Sequence, residues 1–552
     1  MVTGLFQRPH TQITPRSAAL ATAAALILCA GSFLSVAATC NDIGWTWDEV
    51  YYFSSSELQI DWFRALCSWL AGDGTKAVLS REVLDAYWQW DLHHNPHPPL
   101  YKILASLGLL FFRDMLGDRA AFRMASALLA GMLVLFLFRA VRKRYGSLPA
   151  AYAGAALLLM PRFFGHAHLA TTEIPVAAFW LFSCCAFWHG RESVRGSVLL
   201  GLILGCALAV KFTAVLIPLP FLLWAITYRE KKALRNIACM CMISPLVALA
   251  LNPGWWYDPI DKITAYITMS LSRAETIPLR TFFLGKAYLF SPPWYYPLVM
   301  TAVTVPAATL CTIALGAVRF CRKGLLRPYD ALFLCPVPFI LVVVMLPQSP
   351  VHDGVRQFFA VFPFLAYAAA AGYYHLGTLS ARLPLRPVMQ RCVWTGCLAA
   401  LVLQPALQLL KSHPYELSYY NGLIGGLQGA YRKGMEITYW FDAVNDRFLE
   451  GLSRAVPDGA SVSVWPHNPD YFIFLQEHKK IKQTIRFVAP EITGSVYNDR
   501  LQLIFSPQKP DFLILVSRLG EFNPLYRYIF TRGTPLFSLK HEGVPLAAIY
   551  RW

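Results

Sequence analysis

The stretch GWTWDEVYYFSSSE (residues 44–57) places two carboxylates, Asp48 and Glu49, a few residues beyond a long apolar segment. Thr46 stands three residues before Glu49, the T-x-x-E spacing of a capping box, and acidic residues are favoured in the first turn of a helix. A helix therefore starts here, and the cap accounts for Glu49 fully and for Asp48 in part. Adjacent helical residues point about 100° apart, so the two acids cannot share one dyad. On such a helix Asp48, Tyr52 and Ser55 lie on one face. Asp48 is open to two readings, a cap residue or a general base aimed into a cavity.

The chain around this stretch has 552 residues, 56% hydrophobic and only 15% charged, too apolar for a soluble protein of its size. Apolar runs recur at 17–38, 121–140, 147–163, 173–190, 195–209, 212–228, 235–252, 297–319, 330–347, 357–378 and 392–410. They predict a polytopic α-helical membrane protein of about eleven spans. The first run is longer than a signal-peptide core and reads as an uncleaved span. Lys and Arg gather in short loops such as FRAVRKRYG (138–146) and YREKKALR (228–235), which the positive-inside rule makes cytoplasmic. The net charge of +17 is thus an orientation signal, and nucleic-acid binding is not indicated. Residues 98–116 have an apolar core of about ten residues, too short to cross, and read as an interfacial helix on the outer side. An odd span count puts the N-terminus in the cytoplasm and the C-terminus outside.

Two long outer loops follow from this topology, 39–120 and 253–296, and an outer C-terminal region, 411–552, beyond a membrane domain of residues 1–410. VNDRFLEGLSRAV (444–456) is helix-like, whereas ASVSVW, TIRFVA, DFLILVS and PLAAIY are strand-like, which predicts a small extracytoplasmic α/β domain. Most of the thirteen Cys lie in apolar runs as small hydrophobes; Cys40 and Cys67 share the first outer loop, where a disulfide is one option.

Other chemistry-bearing residues fall on the same side. Glu173 opens an apolar run, where an acid is costly unless paired or facing an aqueous cavity; Arg162 and His166 are its expected neutralisers. Lys211, in LAVKFTAV, calls for an anionic partner, a phosphate among them. Arg356 heads a span in SPVHDGVRQFF (349–359), and Arg273 and Lys286 lie in the second loop. His93, His94 and His97 precede the interfacial helix without the spacing of a zinc site. Lys102 sits one turn inside that helix, to snorkel or to meet a lipid phosphate. Headgroup contact explains most of these singly. Their recurrence in separate outer loops points instead to one cavity. No P-loop, dinucleotide fingerprint, nucleophile elbow or D-x-D is present, so a nucleotide donor is not indicated.

In order, DE-x-Y-Y (48–52), HPPLY (97–101), the Glu-x-Pro at Glu173, PPWYYPL (292–298) and HDGVRQFF (352–359) resemble the GT-C glycosyltransferases. The nearest likeness is to bacterial family-39 enzymes, akin to protein O-mannosyltransferases and aminoarabinose transferase. The region from HPYELSYYNGLIGG to GMEITYW (413–440) is similar to a stretch after their last span. The resemblance implies inverting transfer of a hexosyl or pentosyl group from a polyprenyl-phosphate carrier. The acceptor is a lipid, glycan or protein bearing a hydroxyl or phosphate, at the outer face of the bacterial cytoplasmic membrane. It implies catalytic positions at Asp48, Glu49 and Glu173, the last commonly Asp. His97 falls near the donor phosphate; Lys102 departs from the family, where an aromatic is more common, and Lys102, Lys211, Arg273, Lys286, Arg356 and Tyr52 are further candidate substrate contacts from their own positions in the sequence. A divalent metal ion, held by Asp48 and His94, is the only cofactor it leaves open. A transporter or lipid-linked-sugar flippase is the alternative, with its charges at the bilayer midplane in broken helices. A non-catalytic envelope receptor is a third.

Overall fold

The computed structural model describes residues 15–73, 77–88, 97–272, 279–322, 326–347, 349–380, 387–466, 468–488 and 510–552. The first helix, Pro15–Thr39, exposes Leu20, Leu26, Ile27 and Leu34, as a lipid-facing helix must. All eleven expected spans are helical in whole or part. Among the described residues, five helices are long and apolar enough to cross a membrane, six if the pair Ser147–Leu158 and Pro161–Ala167, bent by 71°, makes one span. The expectation of eleven spans outruns this count, and in two of the expected spans a proline interrupts the helix. Pro161 opens a new helix after Met160, and Pro306 parts Tyr296–Thr304 from Ala307–Cys321.

The segment expected to lie along the interface is a separate helical piece. Helix Leu100–Tyr145 is interrupted at Gly117, whose φ of 74° is a conformation that glycine adopts without Cβ strain. The break falls where residues 98–116 are expected to end. The backbone N–H of Leu100 donates to the Ala209 carbonyl (2.9 Å), so the start of this helix is stitched beside Lys211.

The C-terminal region contains a five-stranded sheet. Its strands are β3 (Ser461–Trp465), β4 (Arg486–Val488), β5 (Phe512–Val516), β6 (Phe537–His541) and β7 (Val544–Arg551), ordered β4-β3-β5-β7-β6. The pairs β3–β4 and β3–β5 are parallel, and β7 runs antiparallel to both β5 and β6. Helix Pro469–Glu477, capped by Asn468, supplies the crossover that the parallel pair β3–β4 requires. The sheet is the α/β region expected from four apolar strands. The fifth, β6, reads FSLKH and lies at the edge, too polar to register as a strand. A smaller hairpin, β1 (Arg280–Phe283) and β2 (Lys286–Leu289), lies in the second loop.

The sheet region leans on the helix that begins at residue 47. Tyr471 donates its hydroxyl to the Trp45 carbonyl (2.9 Å), and the Phe474 ring meets Trp45 edge-on at 5.2 Å. The carboxylate of Glu436 accepts from the backbone N–H of Phe282 (3.1 Å), Leu519 (2.5 Å) and Gly520 (3.1 Å). One buried side chain thus ties the hairpin to the loop after β5.

Candidate active site

The site is built on the cap of helix Trp47–Leu70. The Glu49 carboxylate accepts from both the backbone N–H and the hydroxyl of Thr46 (3.0 Å each), as the T-x-x-E spacing predicts. The same carboxylate accepts from the Ala170 N–H (2.9 Å) and from two nitrogens of Arg123, at 2.8 and 2.6 Å. Arg123 in turn donates to the carbonyls of Cys40 (2.8 Å), Ile43 (3.0 Å) and Gly44 (2.7 Å). Both side chains are fully buried. Glu49, expected among the catalytic groups, is therefore saturated with hydrogen bonds away from the cavity. It locks loop 40–44, the helix start and the segment before Glu173 to one guanidinium.

Asp48, one residue earlier, points elsewhere. Its carboxylate accepts from Nη2 of Arg356 at 2.7 Å and keeps about a quarter of its surface open (27%). Arg356 opens the turn Arg356–Val361 and divides its fork among three acids. Nε donates to Glu173 at 3.3 Å, and Nη1 to Asp353 at 2.9 Å. Its guanidinium lies 3.5 Å from the centre of the Trp440 ring, a close cation–π contact that fixes its plane. Lys211 reaches Glu173 at 3.5 Å. The second oxygen of Glu173 is buried with no hydrogen-bond partner. Asp353 adopts φ 57° and accepts from Arg518 at 2.9 Å. Burial alone would push its pKa up, but Arg518, with His352 and Arg356, outweighs burial and holds the carboxyl below the usual aspartate range.

Four sequence-predicted residues thus meet: Asp48, Glu173, Lys211 and Arg356. The neutralisers of Glu173 are Arg356 and Lys211, correcting the expectation of Arg162 or His166. Arg162 instead donates to the Tyr419 carbonyl and the Tyr439 hydroxyl (3.2 Å each), under the Tyr420 ring. The His166 ring packs against Phe359 and Trp440. Tyr52 is buried one turn from Asp48, edge-on to Tyr101 at 4.9 Å. Lys102 is buried and donates to the His97 carbonyl at 3.1 Å, so this pair closes the loop before the interfacial helix rather than snorkelling. Lys286 is exposed on β2 and takes no part in these ion pairs. Arg273 and His94 lie outside the described residues. Cys40 and Cys67 are both free: Cys40 is buried before helix Trp47–Leu70 and Cys67 lies near its far end. Twenty helical residues span about 30 Å, far beyond the reach of a disulfide.

A narrow groove opens beside the cluster. Glu173, Lys211 and Arg356 line it with Thr213 and Gln357; the rest of its lining is apolar, Val176, Trp180, Leu216, Phe339, Ile340 and Val343 among it. A charged set in a mostly hydrocarbon lining suits an amphiphile with an anionic head. Among the described residues, no group of three or more His, Cys, Asp or Glu could hold a metal ion. The carboxylates of this site are bridged by Arg356.

Comparison with known proteins agrees with this architecture. Residues 96–257 match the model of the family described as dolichyl-phosphate-mannose-protein mannosyltransferase. The chain has no match among curated protein sequences. It has the GT-C fold, as the motif resemblance implies. The solved structure of ArnT from Cupriavidus metallidurans in the apo state aligns over 95% of this chain and 97% of that one, at 14% identity and TM-score 0.51. ArnT from the same organism bound to undecaprenyl phosphate aligns over the same shares, at 13% identity and TM-score 0.47. The Archaeoglobus fulgidus oligosaccharyltransferase in the apo form aligns over 84% of this chain and 64% of that one, at 11% identity and TM-score 0.48.

Proposed function

We propose that this protein is an inverting glycosyltransferase. It moves a sugar from a polyprenyl-phosphate carrier to an acceptor hydroxyl or phosphate at the outer face of a multi-pass membrane domain, residues 1–410. Residues 411–552 form an extracytoplasmic domain over the site. The observation that carries this reading is the mostly apolar groove lined also by Lys211, Arg356 and Glu173, with Asp48 2.7 Å from Arg356. The prenyl tail lies along the walls, and the phosphate sits at the cations. The acceptor O–H gives its proton to the open oxygen of Asp48 as the oxygen attacks the anomeric carbon. The bond from that carbon to the phosphate oxygen breaks, and the phosphate leaves with the electron pair, stabilised by Arg356 and Lys211. A single displacement inverts the anomeric centre. Glu173 holds both cations in register, Glu49 holds the loop that carries Asp48, and His97, Lys102 and Tyr52 shape the approach.

The test is transfer from a synthetic polyprenyl-phosphate sugar in membranes carrying wild-type protein or Asp48→Asn. Loss of roughly 10²–10⁴-fold in the stably inserted variant is expected for a missing general base. Undiminished transfer by Asp48→Asn sinks the assignment, and substrate uptake into sealed vesicles without transfer replaces the enzyme by a transporter.

A further inference from the structure

The sheet region contributes a charged side chain to the cluster in the membrane domain. Arg518, in the turn after β5, is buried, and its Nη2 donates to Asp353 Oδ1 at 2.9 Å. Its Nη1 donates to the Tyr439 carbonyl at 2.8 Å, next to the Trp440 ring on which Arg356 rests. The other oxygen of Asp353 takes Nη1 of Arg356 at 2.9 Å. The chain of contacts therefore runs Arg518, Asp353, Arg356, Asp48, each link between 2.7 and 2.9 Å.

We propose that Arg518 is a positioning residue for the glycosyl transfer described above, acting through Asp353 on the orientation of Arg356. The inference rests on that reading of the site. Three carboxylates, Asp48, Glu173 and Asp353, face three cations, Arg356, Lys211 and Arg518. Removal of Arg518 leaves Arg356 as the guanidinium on Asp353, in a buried setting where a charge short of partners is costly. The guanidinium is then drawn toward Asp353, away from Asp48 and Glu173. The left-handed backbone at Asp353 adds to the dependence. Aspartate visits φ near 57° only when its surroundings hold it there, and the bond from Arg518 is one of those holds. The sheet domain on this view closes the electrostatic frame of the site.

The experiment compares wild type, Arg518→Ala, Arg518→Lys, Asp353→Asn and the double variant Asp353→Asn/Arg518→Ala. Each is assayed in detergent as folded, monodisperse protein with a synthetic polyprenyl-phosphate sugar. Arg518→Ala should lower kcat per folded enzyme by roughly tenfold to a hundredfold, as a misplaced catalytic group does, with donor KM changed by less than about threefold. Arg518→Lys should recover part of the loss. The double variant should be no slower than Asp353→Asn alone, because the two residues act in series. Unchanged kcat in the folded fraction of Arg518→Ala, or losses that multiply in the double variant, overturns the inference. If Arg518→Ala does not fold, Arg518→Lys and the Asp353→Asn comparison carry the test. Absence of transfer by the wild type, with every lipid-phosphate sugar tried, counts against the glycosyltransferase reading itself.

Discussion

Asp48 and Arg356 stand 308 residues apart in the chain and meet at 2.7 Å. Arg356 serves Glu173 and Asp353 with its other nitrogens, so one guanidinium joins the first loop, the head of a span and the segment before the last part of the helical domain. The planar fork is what makes this possible, since each donor has its own direction.

Arg356→Lys is the sharpest probe of that fork. Lysine keeps the charge but cannot serve three acids in three fixed directions. Transfer should fall by roughly 10²-fold, the scale of a misplaced catalytic constellation. Steady-state transfer kinetics on the purified variant check it, and near-normal kcat would show that charge alone suffices.

Lys211→Met removes a cation from the groove and leaves the bond between Asp48 and Arg356. The donor kcat/KM should fall by about tenfold, one charge-assisted contact of about 1.4 kcal/mol, because Lys211 meets the phosphate both as it binds and as it leaves. Unchanged kcat/KM would remove Lys211 from the donor phosphate.

Ile340→Trp fills the apolar part of the groove and leaves its charged residues in place. Donor turnover should drop by an order of magnitude or more while short-chain phosphate analogues are less affected. Equal losses with long and short donors would remove the lipid tail from this groove.

Arg123→Met leaves the Glu49 carboxylate buried without its partner, at a cost of about 3–5 kcal/mol. Thermal unfolding in detergent should show a strong loss of stability. The double variant Arg123→Met/Glu49→Gln should be less destabilised, because it leaves no isolated charge.

His413 ties the two ends of the helical domain together, its ring nitrogens on Glu416 (2.5 Å) and Asp42 (2.9 Å). The hydrogen bond to Glu416 comes first among the causes that raise its pKa to about 9; burial alone opposes it. A raised folded pKa means that the stabilisation is complete below the unfolded value of about 6.5 and is lost as pH rises through about 9. Thermal stability should decline across that window in the wild type and decline less in His413→Gln.

Much of the site was legible because charge in an apolar setting is conspicuous. Asp48, Glu173, Lys211 and Arg356 each stand at the edge of a hydrophobic run, where an uncompensated charge is expensive, and the structure compensates them with one another. Glu49 was legible as a cap from Thr46, yet its five-bonded seat with Arg123 was not, since nothing in the local pattern names a partner 74 residues away. Arg518 left no signal at all. It follows an apolar strand in a polar turn, where an arginine is ordinary, and only the docking of the sheet brings it to Asp353.

The linear pattern by itself determined that this is a protein of many apolar helices of membrane type, which residues carry cost, and that an α/β region follows. Those properties arise from hydrophobic period, caps and turn residues, which act within a few positions along the chain. The tertiary structure alone decided which cation meets which acid, that Glu49 is sealed in hydrogen bonds while Asp48 meets Arg356, and that the C-terminal sheet region reaches the site. Ion pairing inside a protein depends on distances of a few ångströms between side chains hundreds of residues apart, and that geometry exists only once the helices and the sheet have packed.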